Sequence, residues 1–252
     1  GMHLLFLPYA AQAQSGARID CATAVLPPVD SAPMRSPQAV HTAMLPHLRG
    51  KQMVEIGTRR GDGMACFSRV AASALAVEID RRACDFLKTR AAAQQQAVGA
   101  SWQVICQDYR TAAGLDGDVF TWWQEYPHLR NMAVLRSLRK LQLTGSVRRG
   151  AEAILVFDHS EPTDLASLSI LRSLGWIQWL ETVHVHEKKL CEAKRLSPKL
   201  CRRADGTFHL GSVRVSDVNA TVAAAQPDPL QIAGERRFQR PDDYSREHLE
   251  DR

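Results

Sequence analysis

From Met53 to Val215 short apolar runs alternate with stretches in which apolar residues recur every three or four positions. Unbroken apolar runs fit strands buried on both faces, and the helical recurrence fits amphipathic helices packed against them. The pattern predicts strands at Met53 to Ile56, Leu75 to Ile79, Gln103 to Cys106, Val119 to Trp122, Ala153 to Phe157, Ile177 to His186 and Thr207 to Val215. Helices are predicted at Gly63 to Ser73, Arg81 to Ala97, Pro127 to Leu143 and Thr163 to Leu174, with a short turn near Tyr109 to Ala113 as the remaining crossover. In the helix from Thr163, Leu165, Leu168, Leu171 and Leu174 form one stripe and Gly175 is its stop. Strand–helix alternation implies an α/β domain with a mostly parallel sheet. The last two strands have no helix between them, so they should pair antiparallel at one edge.

The flanks read differently. Residues 14–35 carry Pro27, Pro28 and Pro33 with little periodicity, and Ser36-Pro37 then opens a short helix toward Leu45, expected to end near Pro46 and Gly50. From Asp217 onward the chain is polar and mixed in charge, a tail with one short helix near its end. This divides the chain into an arm at 1–35, a domain at 36–216 and a tail at 217–252. Leu4 to Leu7 and Ala11-Gln12-Ala13 resemble parts of a secretion signal, but a basic start is missing and Pro8 interrupts the run, so an arm lying on the domain is expected. No run of eighteen or more apolar residues occurs, and no membrane-spanning helix is expected.

Charge changes the picture once it is located. The net +5 arises between 188 and 203, where Lys188, Lys189, Lys194, Arg195, Lys199, Arg202 and Arg203 face Glu192 alone, a local +6 that leaves −1 for everything else. One basic loop, rather than a basic surface, is available for an anionic ligand; its competing reading is a solvated charged loop. The six cysteines are scattered with no C-x-x-C pair, which argues against a zinc site and a disulfide framework and favours a reducing cytoplasm.

The first strand runs directly into a glycine-rich turn, Val54-Glu55-Ile56-Gly57-Thr58-Arg59-Arg60-Gly61-Asp62-Gly63, which opens a helix. Such a turn lets the backbone approach a ligand, with helix N–H groups facing it. Glu78 stands at the end of the second strand, 21 residues after Gly57, where a carboxylate accepts from ribose hydroxyls. Asp80 is its rival, though capping the helix from Arg81 accounts for it. Asp108 follows the third strand, where it could accept from an exocyclic adenine amine. The spacing Gly57-x-x-x-Gly61-x-Gly63 departs from the dinucleotide pattern G-x-G-x-x-G, and no Gly-Lys-Ser/Thr follows to make a P-loop.

With these residues the chain resembles the class I S-adenosylmethionine-dependent methyltransferases, whose first motif is an acidic residue, a glycine and a spaced glycine pair: here Glu55, Gly57, Gly61 and Gly63. The resemblance spans about Met53 to Val215 and implies a three-layer Rossmann-like fold, with a seven-stranded, mostly parallel sheet whose last strand is antiparallel. It also implies S-adenosyl-L-methionine as cofactor, Gly57 to Gly63 with Thr58 and Arg59 cradling its methionine portion, Glu78 holding the ribose and Asp108 the adenine.

Acceptors in open α/β sheets bind beyond the carboxyl ends of the strands. There stand Thr121-Trp122-Trp123-Gln124-Glu125 and Asp158-His159-Ser160. The Asn/Asp-Pro-Pro-aromatic motif of adenine-amino methyltransferases is missing, which turns the expectation toward oxygen or another nitrogen. His159 or Asp158 is the candidate general base; capping the next helix is the competing role for Asp158. Catechol-type enzymes place metal-binding carboxylates at these strand ends, but Thr121 and Trp122 give Asp158 no partner, so no catalytic metal is expected. Trp122 and Trp123 are candidate walls of the site, with one of them expected in the core. Lys188 and Lys189 are candidate contacts to the acceptor. A small anionic molecule methylated on oxygen ranks first, RNA second, and a cofactor-binding domain without catalysis third.

Overall fold

In the computed structural model the described residues are 19–25, 38–124, 130–186, 205–219 and 221–222. Their order is α1 (Cys21–Ala24), α2 (Gln38–Leu48), β1 (Gln52–Ile56), α3 (Asp62–Phe67), β2 (Ser73–Val77), α4 (Arg81–Val98) and β3 (Gln103–Ile105). There follow β4 (Val119–Trp123), α5 (Asn131–Leu143), β5 (Glu152–Asp158), α6 (Pro162–Ser173), β6 (Ile177–His186) and β7 (Asp205–Arg214).

The strands form one sheet in the order β3-β2-β1-β4-β5-β7-β6. Strands β1 to β5 pair in parallel, while β7 runs antiparallel to both neighbours. The fold is therefore the three-layer Rossmann-like sheet implied by the resemblance, with β7 inserted between β5 and β6. Insertion follows from burial. In β5 all residues but the first are buried, as a strand covered on both faces requires. Residues of β6 alternate between partly covered and exposed over most of its length, as an edge strand with one solvated face requires.

Alternation along β5 divides the core. Leu155 and Phe157 pack with Trp122, Leu135 and Leu171 under α5 and α6. Ile154 and Val156 face the opposite layer, with Met44, Met64, Phe67 and Leu87 from α2, α3 and α4. Helix α2 ends at Leu48, between the expected stops Pro46 and Gly50. Pro46 lies inside the helix and exposed, whereas Val40, Met44 and Leu48 are buried on the other side. The cost of an interior proline is offset by that apolar stripe. Two boundaries differ: α3 ends at Phe67 because β2 already begins at Ser73, and α5 begins at Asn131. The basic loop, the end of the tail and residues 2–13 lie outside the described residues.

The cysteines correct the sequence reading. Cys21 is bonded to Cys66 and Cys84 to Cys106, with Cα separations of 5.5 and 5.7 Å. Scanning for C-x-x-C finds metal sites and local redox motifs, but it is blind to bridges closed across 45 and 22 residues. The expectation of a reducing cytoplasm rested on unpaired thiols and loses that support. Among the described residues no helix is long and apolar enough to cross a membrane.

Candidate functional site

Because β1, β2, β4 and β5 are parallel, their carboxyl ends lie along one edge of the sheet. Neighbouring strands are about 4.8 Å apart, so the ends of β1 and β5 are separated by about 10 Å. The antiparallel β7 brings its first residues to the same edge.

At the end of β1 the chain turns sharply. Gly57 and Gly61 have φ of 70° and 84°, and Arg59 between them has φ of 56°, a left-handed conformation uncommon for a residue with a side chain. The bend satisfies itself: the N–H of Gly57 donates to the Val77 carbonyl (2.8 Å) and that of Gly61 to the Thr58 carbonyl (3.1 Å). The Arg59 N–H donates to Glu78 Oε2 (2.7 Å). At these three residues it therefore offers close approach rather than donors. A Cβ on Gly63 would lie 2.8 Å from both Glu55 Oε1 and Phe67 Cε2, and one on Gly61 would lie 2.6 Å from Leu87 Cδ2. The helix and the strand meet here without room for side chains.

Glu78, buried at the end of β2, also accepts from the Asp80 N–H at 2.8 Å. Two backbone donors occupy about half of the roughly four acceptor positions of a carboxylate. The remainder can take ribose hydroxyls. Asp80 accepts from the Ala83 N–H and caps α4. Between the two acids stands Ile79, 70% exposed, an apolar surface at the lip that the sequence reading assigned to β2.

Asp108 is engaged more tightly than expected. Its carboxylate accepts from the Arg110 backbone N–H (2.9 Å) and from Nε and Nη2 of the same guanidinium. That guanidinium holds the carboxyl below the usual carboxylate range. An adenine amine would share oxygens already bonded to an exposed arginine.

Below the glycine bend lies an ion pair that no motif signalled. Arg90 of α4 donates through Nη1 to Asp62 Oδ1 (2.7 Å) and to the Arg60 carbonyl (2.8 Å). The Asp62 side chain is 3% exposed. His41 of α2 is buried beside it; burial pushes the imidazole down to about 4 although the Asp62 charge opposes this.

At the ends of β4 and β5, Trp122 is core, its indole N–H donating to Asn131 Oδ1 (2.9 Å). Trp123 is partly exposed, edge-on to Phe208 with ring centroids 5.9 Å apart, and it alone of the pair can border the site. Gln124 joins the two strand ends: its amide nitrogen donates to Asp164 Oδ1, and its oxygen accepts from the Asn131 N–H and Ser167 Oγ. Asp164 Oδ2 accepts from the Asp158 N–H (2.9 Å), and burial pushes the Asp164 carboxyl up to about 7.

Asp158 is buried and its Oδ1 accepts from Ser160 N–H and Oγ, a local turn rather than a cap of α6. His159 is exposed. Its Nδ1 lies 3.2 Å from Nε2 of His209 on β7, and His209 Nδ1 lies 3.1 Å from Thr182 Oγ1 on β6. Burial, aided by the charges of His159, Arg172 and His184, holds His209 below the usual histidine range. Register makes this cluster: His209 opposes Phe157 on β5 and Thr182 on β6. Lys188 and Lys189 fall outside the described residues, and among these no group of His, Cys, Asp and Glu could hold a metal ion.

No family model matches the chain, and no curated protein does. Several solved structures align with it. A putative RNA methyltransferase from Pyrococcus horikoshii aligns over 75% of this chain and 90% of its own, at 13% identity and a TM-score of 0.47. Magnesium protoporphyrin IX methyltransferase from Synechocystis PCC 6803, with bound S-adenosylmethionine, covers 70% of this chain and 76% of its own at 16% identity and 0.45. TehB from Haemophilus influenzae gives 69% and 61%, 8% identity and 0.44. These similarities concern the backbone fold.

Proposed function

We propose that the protein is an S-adenosylmethionine-dependent methyltransferase with its cofactor between the Gly57–Gly63 bend and Glu78. The observation that carries this reading is the buried Glu78 carboxylate, anchored to Arg59 and Asp80 N–H groups with acceptor capacity left over, beside the tight glycine bend that follows β1. Exposed Ile79 supports it by offering an apolar face to the adenine. The cofactor, when bound, supplies an electrophilic methyl on a sulfonium.

The chain's own work is to position an acceptor in line, exclude water and take a proton. His159 is the proposed base. In the tautomer that frees its Nε2 lone pair, His159 Nδ1–H donates to His209 Nε2, and His209 Nδ1–H donates to Thr182 Oγ1. His209, held neutral, can accept that hydrogen bond, and it becomes stronger when His159 takes the acceptor's proton. Trp123 would wall the site, and Lys188 and Lys189 would meet an anionic acceptor. A small oxygen acceptor remains the first reading and a confined RNA contact the second, favoured only by the local +6 of the basic loop.

Titration calorimetry with S-adenosylhomocysteine tests the cofactor. Wild type should bind it, and Glu78→Ala should weaken binding by about tenfold to a hundredfold, the worth of one or two hydrogen bonds to a charged group. Equal affinity in a folded Glu78→Ala variant would refute the assignment. A labelled-methyl screen over anionic metabolites and RNA identifies the acceptor; single-turnover transfer unaltered in His159→Ala would remove His159 from the chemistry.

A further inference from the structure

Both disulfides end on elements that carry the proposed crevice. Cys66 lies in α3, three residues past Gly63, and Cys84 lies in the first turns of α4, four residues past Asp80. Cys106 directly follows β3, two residues before Asp108. The fourth, Cys21, opens α1.

Each bridge ties one short element, α1 or the end of β3, to a helix. With three residues, β3 is the outermost strand and pairs with β2 alone. Four residues make up α1, too few for a helix that stands by itself. Besides its bridge it is held by the Cys21 N–H donating to Thr42 Oγ1 (2.9 Å) and by Arg69 Nη2 donating to the Ala24 carbonyl (2.7 Å). On the other side of the crevice, β1 is paired on both edges and needs no such tie.

We infer that the two bridges are clamps of the adenosyl crevice, so that the oxidised protein holds the cofactor and a dithiol that opens Cys84–Cys106 releases it. This rests on the cofactor reading above. A thiolate of the dithiol attacks Cys106 Sγ and expels the Cys84 thiolate, and the second thiol of the dithiol then attacks the mixed disulfide at the reagent's sulfur and expels the Cys106 thiolate. Two electrons and two protons pass to Cys84 and Cys106 while the dithiol becomes a disulfide. Access sets an order: Cys84, Cys21 and Cys66 are fully buried and Cys106 is partly exposed, so the Cys84–Cys106 bridge is attacked at Cys106 and opens first. A crevice of this kind belongs in a compartment where disulfides persist, in place of the reducing cytoplasm expected from cysteine spacing.

The test uses the full chain purified without reductant. An unreduced digest should contain the linked peptides of both bridges; free Cys84 and Cys106 there would overturn the inference. Cys84→Ser/Cys106→Ser, shown to be folded by circular dichroism, should bind S-adenosylhomocysteine about tenfold more weakly than wild type, the loss expected when a site must be ordered by its ligand. Equal affinity in the folded variant overturns the clamp. If the variant does not fold, dithiothreitol titration of wild type serves instead, with opened thiols trapped by alkylation: bound ligand should fall in step with opening of Cys84–Cys106, and retention after opening overturns the clamp. If oxidised wild type binds no S-adenosylhomocysteine, the cofactor reading fails by itself. Hydrogen exchange at 57–63 and 105–112 then decides the clamp, faster in the opened protein if it holds and unchanged if it does not.

Discussion

Replacing Arg90 with Met keeps most of the aliphatic stem and removes the guanidinium beneath the glycine bend. Arg90 Nη1 donates to Asp62 Oδ1 at 2.7 Å and to the Arg60 carbonyl at 2.8 Å, with side chains 16% and 3% exposed for Arg90 and Asp62. Removing one partner of a buried pair typically costs about 3–5 kcal/mol. Asp62 sits in the first turn of α3, where the helix dipole returns up to about 1 kcal/mol. A net loss of about 2–4 kcal/mol is expected. Urea unfolding followed by tryptophan fluorescence should show the midpoint falling with little change in slope. Asp62→Asn combined with Arg90→Met removes both charges and should recover a large part of the loss, with a coupling energy above about 1 kcal/mol. A single-variant loss under about 1 kcal/mol, or additive effects of the two substitutions, would refute the account of the bend as pinned by a buried ion pair.

Three other expectations follow from buried groups. His41, at about 4 in the folded protein against 6.5 ordinarily, stays neutral where the unfolded chain charges. Stability should fall as pH drops from 6.5 toward 4, by about 3 kcal/mol in total, and the wild-type minus His41→Leu difference in unfolding free energy across that range measures it. Asp164, raised to about 7 from 3.8, has the opposite sign: the native state keeps a proton that the unfolded chain has lost, so its contribution is present below 3.8 and disappears as pH rises through about 7. Asp164→Asn should flatten that decline, and an unchanged slope would count against a raised value. Gly63→Ala, whose Cβ would meet Glu55 Oε1 and Phe67 Cε2 at 2.8 Å, should lose about 1–3 kcal/mol by overpacking, read from the thermal midpoint; a neutral outcome would show that the helix can shift.

Legibility followed the range of each interaction. The glycine bend, Glu78 at a strand end and Asp80 as a helix cap are local statements, made within a few residues, and each stands where the pattern put it. Asp108 was placed after β3 correctly, but its grip on Arg110 decides which oxygens remain, and no spacing rule expresses that competition. Of Trp122 and Trp123, period-two alternation required one in the core; which one depends on the layers above and below β4. Arg90 and His209 gave no signal at all. One reaches the bend from the middle of α4, and the other reaches His159 through an antiparallel register 50 residues distant.

Sequence by itself determined the alternation of strands and helices, the strand that runs into a glycine bend, and the acid at the end of the neighbouring strand, because hydrophobic periodicity and backbone freedom act over a few neighbouring residues. Tertiary structure decided that β7 enters between β5 and β6, that Asp62 finds Arg90, that two histidines share a hydrogen bond, and that four cysteines become two bridges. Those outcomes depend on distances of a few ångströms between segments far apart in the chain, and such distances exist only once the sheet has ordered its strands.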